Sequence, residues 1–565
     1  MKRIFIIALL MLSAYAGTAQ VENRCGSVFN AKTDSKIPVV KVNCSALRAD
    51  KPVALPAFID NTTNKYFPPT VSQIGGSCAQ AAGVGYIYIY ELNYLLDRDA
   101  KLSENNCSYM QMWNYLNDGV GNGSFTPDGW GLIKANGVAL STDFKITEGE
   151  PGDKTQWLTG YDKYYRGMHN RIESIEKFVP YPDGEDGAYV DVIPAMKRYL
   201  FDHNTGAAVG GLINFSAYAD PLSCDKNYLK DVANPAINPS HTGYQAIISF
   251  FPKTGGHSMT FAGYDDAVEF DFNNDKIITD DEKGAFIAMN TWGESWGDKG
   301  RFYVPYILLK RKKKTEGGTG TNSKNCYIVK AKVSEPELTF KLTMTHTSRN
   351  DLSFRMGVKD EAGNLIGEKV DVAIMSNAGG NYGLTGLFFN PNAIMEVGID
   401  ASELLSIAGA QKNVTYFIEA SDTATDFAGK GEIMDCSLLD YRTNKANPTE
   451  YIAKINHPQL LNRFISTANI YVGKAKLEKN RTFSVDFKYS NSSRKVNLNF
   501  VSAKEINVSA DLFNSKGVLI KNVFSNKVSS IGVNHTIDLK DLKQGKYAIK
   551  IVNKAQVIYK IFKVQ

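Results

Sequence analysis

Hydrophobic residues are distributed along this chain in three ways, and each predicts a different kind of element. Residues 78–96, "CAQAAGVGYIYIYELNYLL", are almost continuously small or apolar, which predicts a buried helix whose small residues let neighbours approach closely. Gly75, Gly76 and Ser77 permit a tight turn just before it, so Cys78 is expected at a helix N-terminus. From about residue 71 to 333, helix-like and strand-like stretches are joined by aromatic-rich loops such as "NDGVGNGSFTPDGW", the texture of an α+β domain. Beyond "KVSEPEL" short alternating runs take over, among them "LTFKLTMTH", "LSFRMGV" and "EYIAKI", with turn residues at intervals of about ten, as in a β-sandwich. Residues 481–565 repeat that texture more compactly.

A fourth apolar stretch stands at the N-terminus, where Lys2 and Arg3 precede "IFIIALLMLSAYAG" and the small-residue ending "GTAQ". This is the pattern of a secretory signal cut near Ala19, and it is too short to span a bilayer. The expected organisation is therefore a signal peptide over 1–19, an N-terminal segment over 20–54, an α+β domain over 55–333, a β-rich domain over 334–480 and a second β-domain over 481–565. At 565 residues the chain has ample length for several cores.

Charge adds little. A formal net charge of +5 spread over the whole chain names no partner, and no nucleic-acid partner is expected. The dense basic run from Lys310 to Lys314 reads as a solvated loop. Cysteine usage adds more: residues 25, 44, 78, 107, 224, 326 and 436 make seven, an odd number that allows up to three disulfides and leaves one thiol over. On the residues alone, Cys78 is a nucleophile, half of a disulfide or a small core residue.

A thiolate nucleophile is favoured by a helix N-terminus and needs a base. His257 lies in "KTGGHSMTFAGYDD", at the expected start of a strand after two glycines. Its ring needs a second group to hold it. Asn290, in "NTWGESWGDKG", can accept from its N–H, with Trp292 and Trp296 near enough in sequence to cover the pair from water.

Taken together, "GGSCA", "GGHSMTFAGYDD" and "NTWGESWGDKG", in the order Gln73, Cys78, His257, Asn290, resemble the papain-like cysteine peptidases over roughly residues 55–333. The resemblance implies a helical lobe plus a β-barrel lobe and hydrolysis of peptide bonds through a thioester acyl-enzyme. It implies Cys78 as nucleophile, His257 as general acid and base, Asn290 as the residue orienting His257, and Gln73 with the Cys78 amide as the oxyanion hole. The chain departs from the family at Gln73, five residues before Cys78 where six is usual, and at Ala79, where tryptophan is usual. About 40 residues between signal and domain are too few for a long inhibitory propeptide, which leaves latency open. Rival readings are a related amidase or acyltransferase, and a catalytically impaired surface-binding protein of the same fold.

Two further expectations concern partners. In "DFNNDKIITDDE", Asp271, Asn273, Asp275, the Ile277 carbonyl, Thr279 and Glu282 fall at the ligand positions of an EF-hand-type loop, which suits a structural calcium ion; Lys276 stands where glycine normally makes the turn. The closing residues 481–565, with "ADLFNSKGVLIKNV" and "HTIDLKDLKQGKYAIKI", resemble the C-terminal sorting domain of proteins exported by the type IX secretion system. That resemblance implies the type IX machinery as a partner and a secreted protein, extracellular or at the outer cell surface, while the papain-like resemblance implies protein or peptide substrates.

Overall fold

The computed structural model describes residues 26–40, 54–182, 188–218, 229–231, 245–247, 256–270, 275–310 and 325–565, the last span without 371, 377–378, 388–389, 391, 410, 412, 424–428, 462–464, 473–482, 503–504, 516, 530–532 and 554–556. The signal-like residues 1–19, Cys25, Cys44, Cys224, Asp271, Asn273 and the basic residues from Arg311 to Lys314 lie outside these. Two units make up the chain: Met1–Lys154 with Arg166–Ser334, and Thr155–Tyr165 with Glu335–Gln565.

In the first unit, the small and apolar stretch forms one helical run. It begins as α-helix over Cys78–Gln80, widens to a π-helix over Ala81–Tyr88 and returns to α-helix over Ile89–Leu96. Every residue from Cys78 to Asn93 is buried, because other elements cover the run on several sides. A helix over Thr126–Asn136 packs against it, with the Trp130 indole donating to Gly83 O at 2.9 Å.

Nine strands form the sheet of this unit: β1 Phe58–Asp60, β2 Asn170–Phe178, β3 Ile213–Tyr218, β4 Leu229–Asp231, β5 Gln245–Ile247, β6 Gly256–Glu269, β7 Lys283–Met289, β8 Arg301–Pro305 and β9 Cys326–Val333. Their order is β2-β9-β3-β6-β7-β8-β5-β4, with β1 paired to β6. β6 is buried over its first ten residues, as a strand covered on both faces must be. Phe215, Ala217, Met259, Phe261, Phe286 and Ala288 turn into one apolar core. On the opposite face Thr260 reaches the helical run, its hydroxyl 3.5 Å from Ala82 O. His257 is the second residue of β6, and Asn290 follows the last residue of β7.

The second unit is rich in strand. One five-stranded sheet is centred on Leu338–His346 and Lys430–Asp440, another on Leu352–Lys359 and Val414–Asp422. Toward the C-terminus a three-stranded and a four-stranded sheet contribute to a single core that includes Leu498, Phe500, Leu512, Ile537, Ile549 and Phe562. Residues Thr155–Tyr165 belong to this unit, which nothing in the sequence pattern announced. The Arg349 guanidinium lies 4.2 Å from the Trp157 ring centroid and donates to Thr155 O at 3.0 Å. Tyr161 Oη stands 2.6 Å from Thr339 Oγ1 and 2.7 Å from Tyr441 Oη.

Of the seven cysteines, Cys107, Cys326 and Cys436 are buried free thiols. Burial pushes the first two up to about 12 and the third upward as well, so these behave as small core residues rather than nucleophiles. No helix among the described residues is long and apolar enough to cross a membrane.

Candidate active site

Cys78 is the first residue of the helical run, and its side chain is fully buried. Gly75 supplies the left-handed backbone (φ +51°) that the turn before it requires, and Ser77 N donates to Ile74 O at 3.2 Å to close that turn.

His257 and Asn290 meet at hydrogen-bond distance, His257 Nε2 to Asn290 Oδ1, 2.7 Å. The backbone around Asn290 is fixed from two sides: its N–H donates to Gly300 O at 2.9 Å, and its carbonyl accepts from the Tyr86 hydroxyl at 2.9 Å. Because Oδ1 also accepts from Thr291 N at 2.7 Å, the atom facing the imidazole is an oxygen. Nε2 must therefore carry the proton, which leaves Nδ1 as the basic nitrogen of the neutral ring. Nδ1 is buried and has no hydrogen-bond partner among the described residues. Burial pushes the imidazole down to about 4 against the opposing effect of the Asn290 bond, so the ring is neutral near pH 7 in this conformation. Trp292 covers it, ring centroids 4.7 Å apart, and Trp296 stands edge-on to Trp292 at 5.6 Å.

Two brackets hold the start of the helical run beside the start of β6. Thr126 Oγ1 donates to Ala79 O at 3.0 Å and lies 3.3 Å from Ser258 Oγ, joining the residue after Cys78 to the residue after His257. The second bracket is the N-terminal segment. Gly26 N donates to Cys78 Sγ at 3.2 Å, and the next amide, Ser27 N, donates to Gly256 O at 2.7 Å.

That segment lies between the residues that precede Cys78 and His257, with a single β-bridge at Ser27 and a short helix over Ala31–Asp34. Ser27 pairs with Ser124 in the parallel sense, through Ser124 N to Gly26 O at 2.7 Å and Val28 N to Ser124 O at 3.1 Å. Gly26 is hemmed in by backbone: a Cβ there lies 2.0 Å from Gly76 O, so no other residue fits in this position without displacement. Further along, Asn30 and Thr33 donate to the Asp128 carboxylate at 2.9 and 2.5 Å. Asp34 forms a buried ion pair with Lys177 at 2.8 Å and also accepts from Asn325 and Tyr327. Val39 pairs with Lys177 on β2.

Gln73 is held at both ends. Its backbone N donates to Thr291 O at 2.7 Å, its Oε1 accepts from Thr291 Oγ1 at 2.5 Å, and its Nε2 donates to Gly75 O at 2.7 Å. This turns the amide nitrogen toward the turn that leads into Cys78.

Of the calcium-loop residues, Asp275, Ile277, Thr279 and Glu282 are described, while Asp271 and Asn273 lie outside the described residues. Lys276 adopts φ +69°, the left-handed backbone normally supplied by glycine at this position of an EF-hand loop. Glu282 Oε2 accepts from both Thr279 N and Thr279 Oγ1 at 3.0 Å.

Sequence reasoning did not single out Gly26, Ser27, Thr126 or Tyr86. "CGSVF" has no motif, and Thr126 precedes Pro127 as many helix starts do. Only their placement in the fold gives them a part.

No family model and no curated protein matches the chain. Solved structures to which it is similar include a digestive procathepsin L2 proteinase from Tenebrio molitor larval midgut, at 14% identity and TM-score 0.35 over 55% of this chain and 79% of that one. Xylellain, a cysteine protease from Xylella fastidiosa, is 16% identical with TM-score 0.34 over 55% of this chain and 96% of its own. The bromelain protease from Ananas comosus is 16% identical with TM-score 0.31 over 49% and 99%. With likeness this distant, the reading of the site rests on its own geometry.

Proposed function

We propose that the first unit is a thiol peptidase of papain-like type, in which Cys78, His257 and Asn290 act as nucleophile, base and orienting residue. The observation that carries this is the 2.7 Å bond between His257 Nε2 and Asn290 Oδ1, which leaves the buried Nδ1 as the only nitrogen able to take a proton. In this reading Nδ1 takes the Cys78 proton and the thiolate attacks the scissile carbonyl. The imidazolium then protonates the leaving amine, and the neutral ring activates the water that hydrolyses the thioester. The Cys78 amide and the Gln73 amide stabilise the oxyanion, with Thr291 fixing the direction of Gln73.

Latency belongs to the same proposal. Residues 26–40 occupy the cleft and press Gly26 against the nucleophile, so the enzyme works only after this segment leaves. Cutting the chain between residues 41 and 54 allows that release. The other parts are an exported protein, β-sandwich folds for residues 334–480 and 481–565, type IX sorting by the latter, and a structural calcium ion in the loop 271–282. The left-handed Lys276 supports the calcium loop.

The deciding experiment uses an epoxide or fluoromethyl-ketone peptide probe on intact protein and on protein nicked between residues 41 and 54. Expected are labelling at Cys78, none in Cys78→Ala, and turnover by His257→Ala lowered by about 10²–10⁴. Wild type that neither labels at Cys78 nor cleaves denatured protein, nicked or intact, refutes the peptidase reading.

A further inference from the structure

The ribbon formed by β3 and β6 has an unusual inner face. Ile213, Phe215 and Ala217 turn into the apolar core with Met259 and Phe261. The alternate residues, Asn214 and Ser216 on β3 and their register partners Thr260 and Ser258 on β6, are all polar and all buried. Buried hydroxyls and amides are costly unless bonded, and most of these are: Asn214 Nδ2 donates to Ser258 Oγ at 2.8 Å and to Met259 O at 3.1 Å. Ser216 differs. Among the described residues its hydroxyl is bonded to Ser27 Oγ alone, at 3.0 Å, a partner supplied by the chain that fills the cleft.

We propose that the seat of the Ser27 side chain, beside Ser124 and Gly256, is a specificity subsite for a small hydroxylated residue of the substrate, serine or threonine, read by Ser216. This deepens the peptidase reading and rests on it. Ser27 lies one residue from the glycine that touches Cys78 and pairs with Ser124 as an extended residue. A substrate residue that replaces it opposite Ser124 meets the same hydroxyl. Threonine and valine have nearly the same shape, so sterics do not separate them. Valine leaves the buried Ser216 hydroxyl without a partner and excludes the water that could replace one, whereas threonine restores the bond.

Two measurements test this. With nicked protein, matched peptides differing only by threonine or valine at each position in turn should show one position where threonine raises kcat/KM about tenfold. Ser216→Ala should bring that ratio close to one. The second measurement does not need turnover: the rate of iodoacetamide alkylation at Cys78 in the intact chain, read by mass spectrometry. Ser27→Thr should protect Cys78 about as well as serine, and Ser27→Val should speed alkylation about tenfold. Equal alkylation of the threonine and valine variants overturns the subsite whatever the peptide assay gives, as does a threonine preference that survives Ser216→Ala. If Ser27→Thr and Ser27→Val differ as expected while no peptide is cut, Ser216 still reads the residue at position 27, but the peptidase reading falls and the substrate subsite falls with it.

Discussion

The amide nitrogen of Gly26 stands 3.2 Å from Cys78 Sγ, so the proposed nucleophile is capped by the chain's own backbone. Flanking bonds tie the cap to both walls of the cleft, through Ser124 on one side and Gly256 on the other. Reactivity at Cys78 and the position of residues 26–40 are thereby linked.

Replacing Gly26 by valine tests the link most directly. A Cβ there meets Gly76 O at 2.0 Å, and backbone cannot step aside cheaply. The variant is expected to alkylate at Cys78 at least about tenfold faster than wild type, since a clash of even 1–2 kcal/mol shifts the bound population that far. Unchanged alkylation, with an unchanged fold by circular dichroism, contradicts the proposed latency.

The ion pair of Asp34 with Lys177 anchors the same segment farther from the nucleophile, and both side chains are largely buried. Removing one partner of a buried pair costs about 3–5 kcal/mol because the other charge is left uncompensated. Asp34→Ala should therefore lower the melting temperature and speed proteolysis within residues 26–40. The double variant Asp34→Leu/Lys177→Met should recover only the part due to the uncompensated lysine charge, since Asn325 and Tyr327 still lose their acceptor. A single variant as stable as wild type shows that the pair does not hold the segment.

His257 and His203 predict opposite pH dependences. Burial holds His257 at about 4, against about 6.5 in the unfolded chain. Between those values the unfolded state binds more protons, so stability rises with pH across roughly 4 to 6.5, by about 3 kcal/mol at most. For His203, burial works against the charge, but Glu91 at 3.1 Å prevails and raises the pKa. Its contribution is present below the unfolded value and is lost as pH rises through the folded one. Urea unfolding at several pH values checks both: His257→Gln should flatten the acid side of the profile and Glu91→Gln the side above about 6.5. Profiles parallel to wild type count against these assignments.

His257→Ala is expected to lower kcat of the nicked protein by about 10²–10⁴, the usual worth of a positioned acid–base group. Asn290→Ala should lower it less, because the imidazole survives but loses its orientation and tautomer. Equal activity in all three proteins rules out the proposed roles.

For the loop 271–282, added calcium should raise the melting temperature of wild type and leave Asp271→Ala/Glu282→Ala unmoved. The ion competes with the Thr279 bonds that Glu282 makes, so a wild type indifferent to both calcium and chelator removes the calcium proposal.

Some of this was legible in the residues themselves. The almost continuously small and apolar run of 78–96 predicts a buried helix, and it forms a continuous helical run headed by Cys78 that is buried through Asn93, whereas Leu95 and Leu96 in its last turn are exposed. The alternating runs beyond residue 335 likewise appear as strands, because a two-residue period fixes which side chains share a face. Asn290 and His257 were identifiable because each stands in a distinctive local context of glycines and tryptophans.

What the sequence could not carry were contacts between residues far apart in the chain that have no pattern of their own. Gly26 against Cys78, Ser27 against Ser216, and Thr126 between Ala79 and Ser258 depend on how strand, helix and segment come together. The direction of Gln73 was equally hidden, for it is set by the Thr291 hydroxyl across the cleft rather than by its distance from Cys78 in the chain. Local composition determines which element a stretch becomes. Which side chain then meets the thiol depends on the packing of distant segments, and that only the tertiary structure decided.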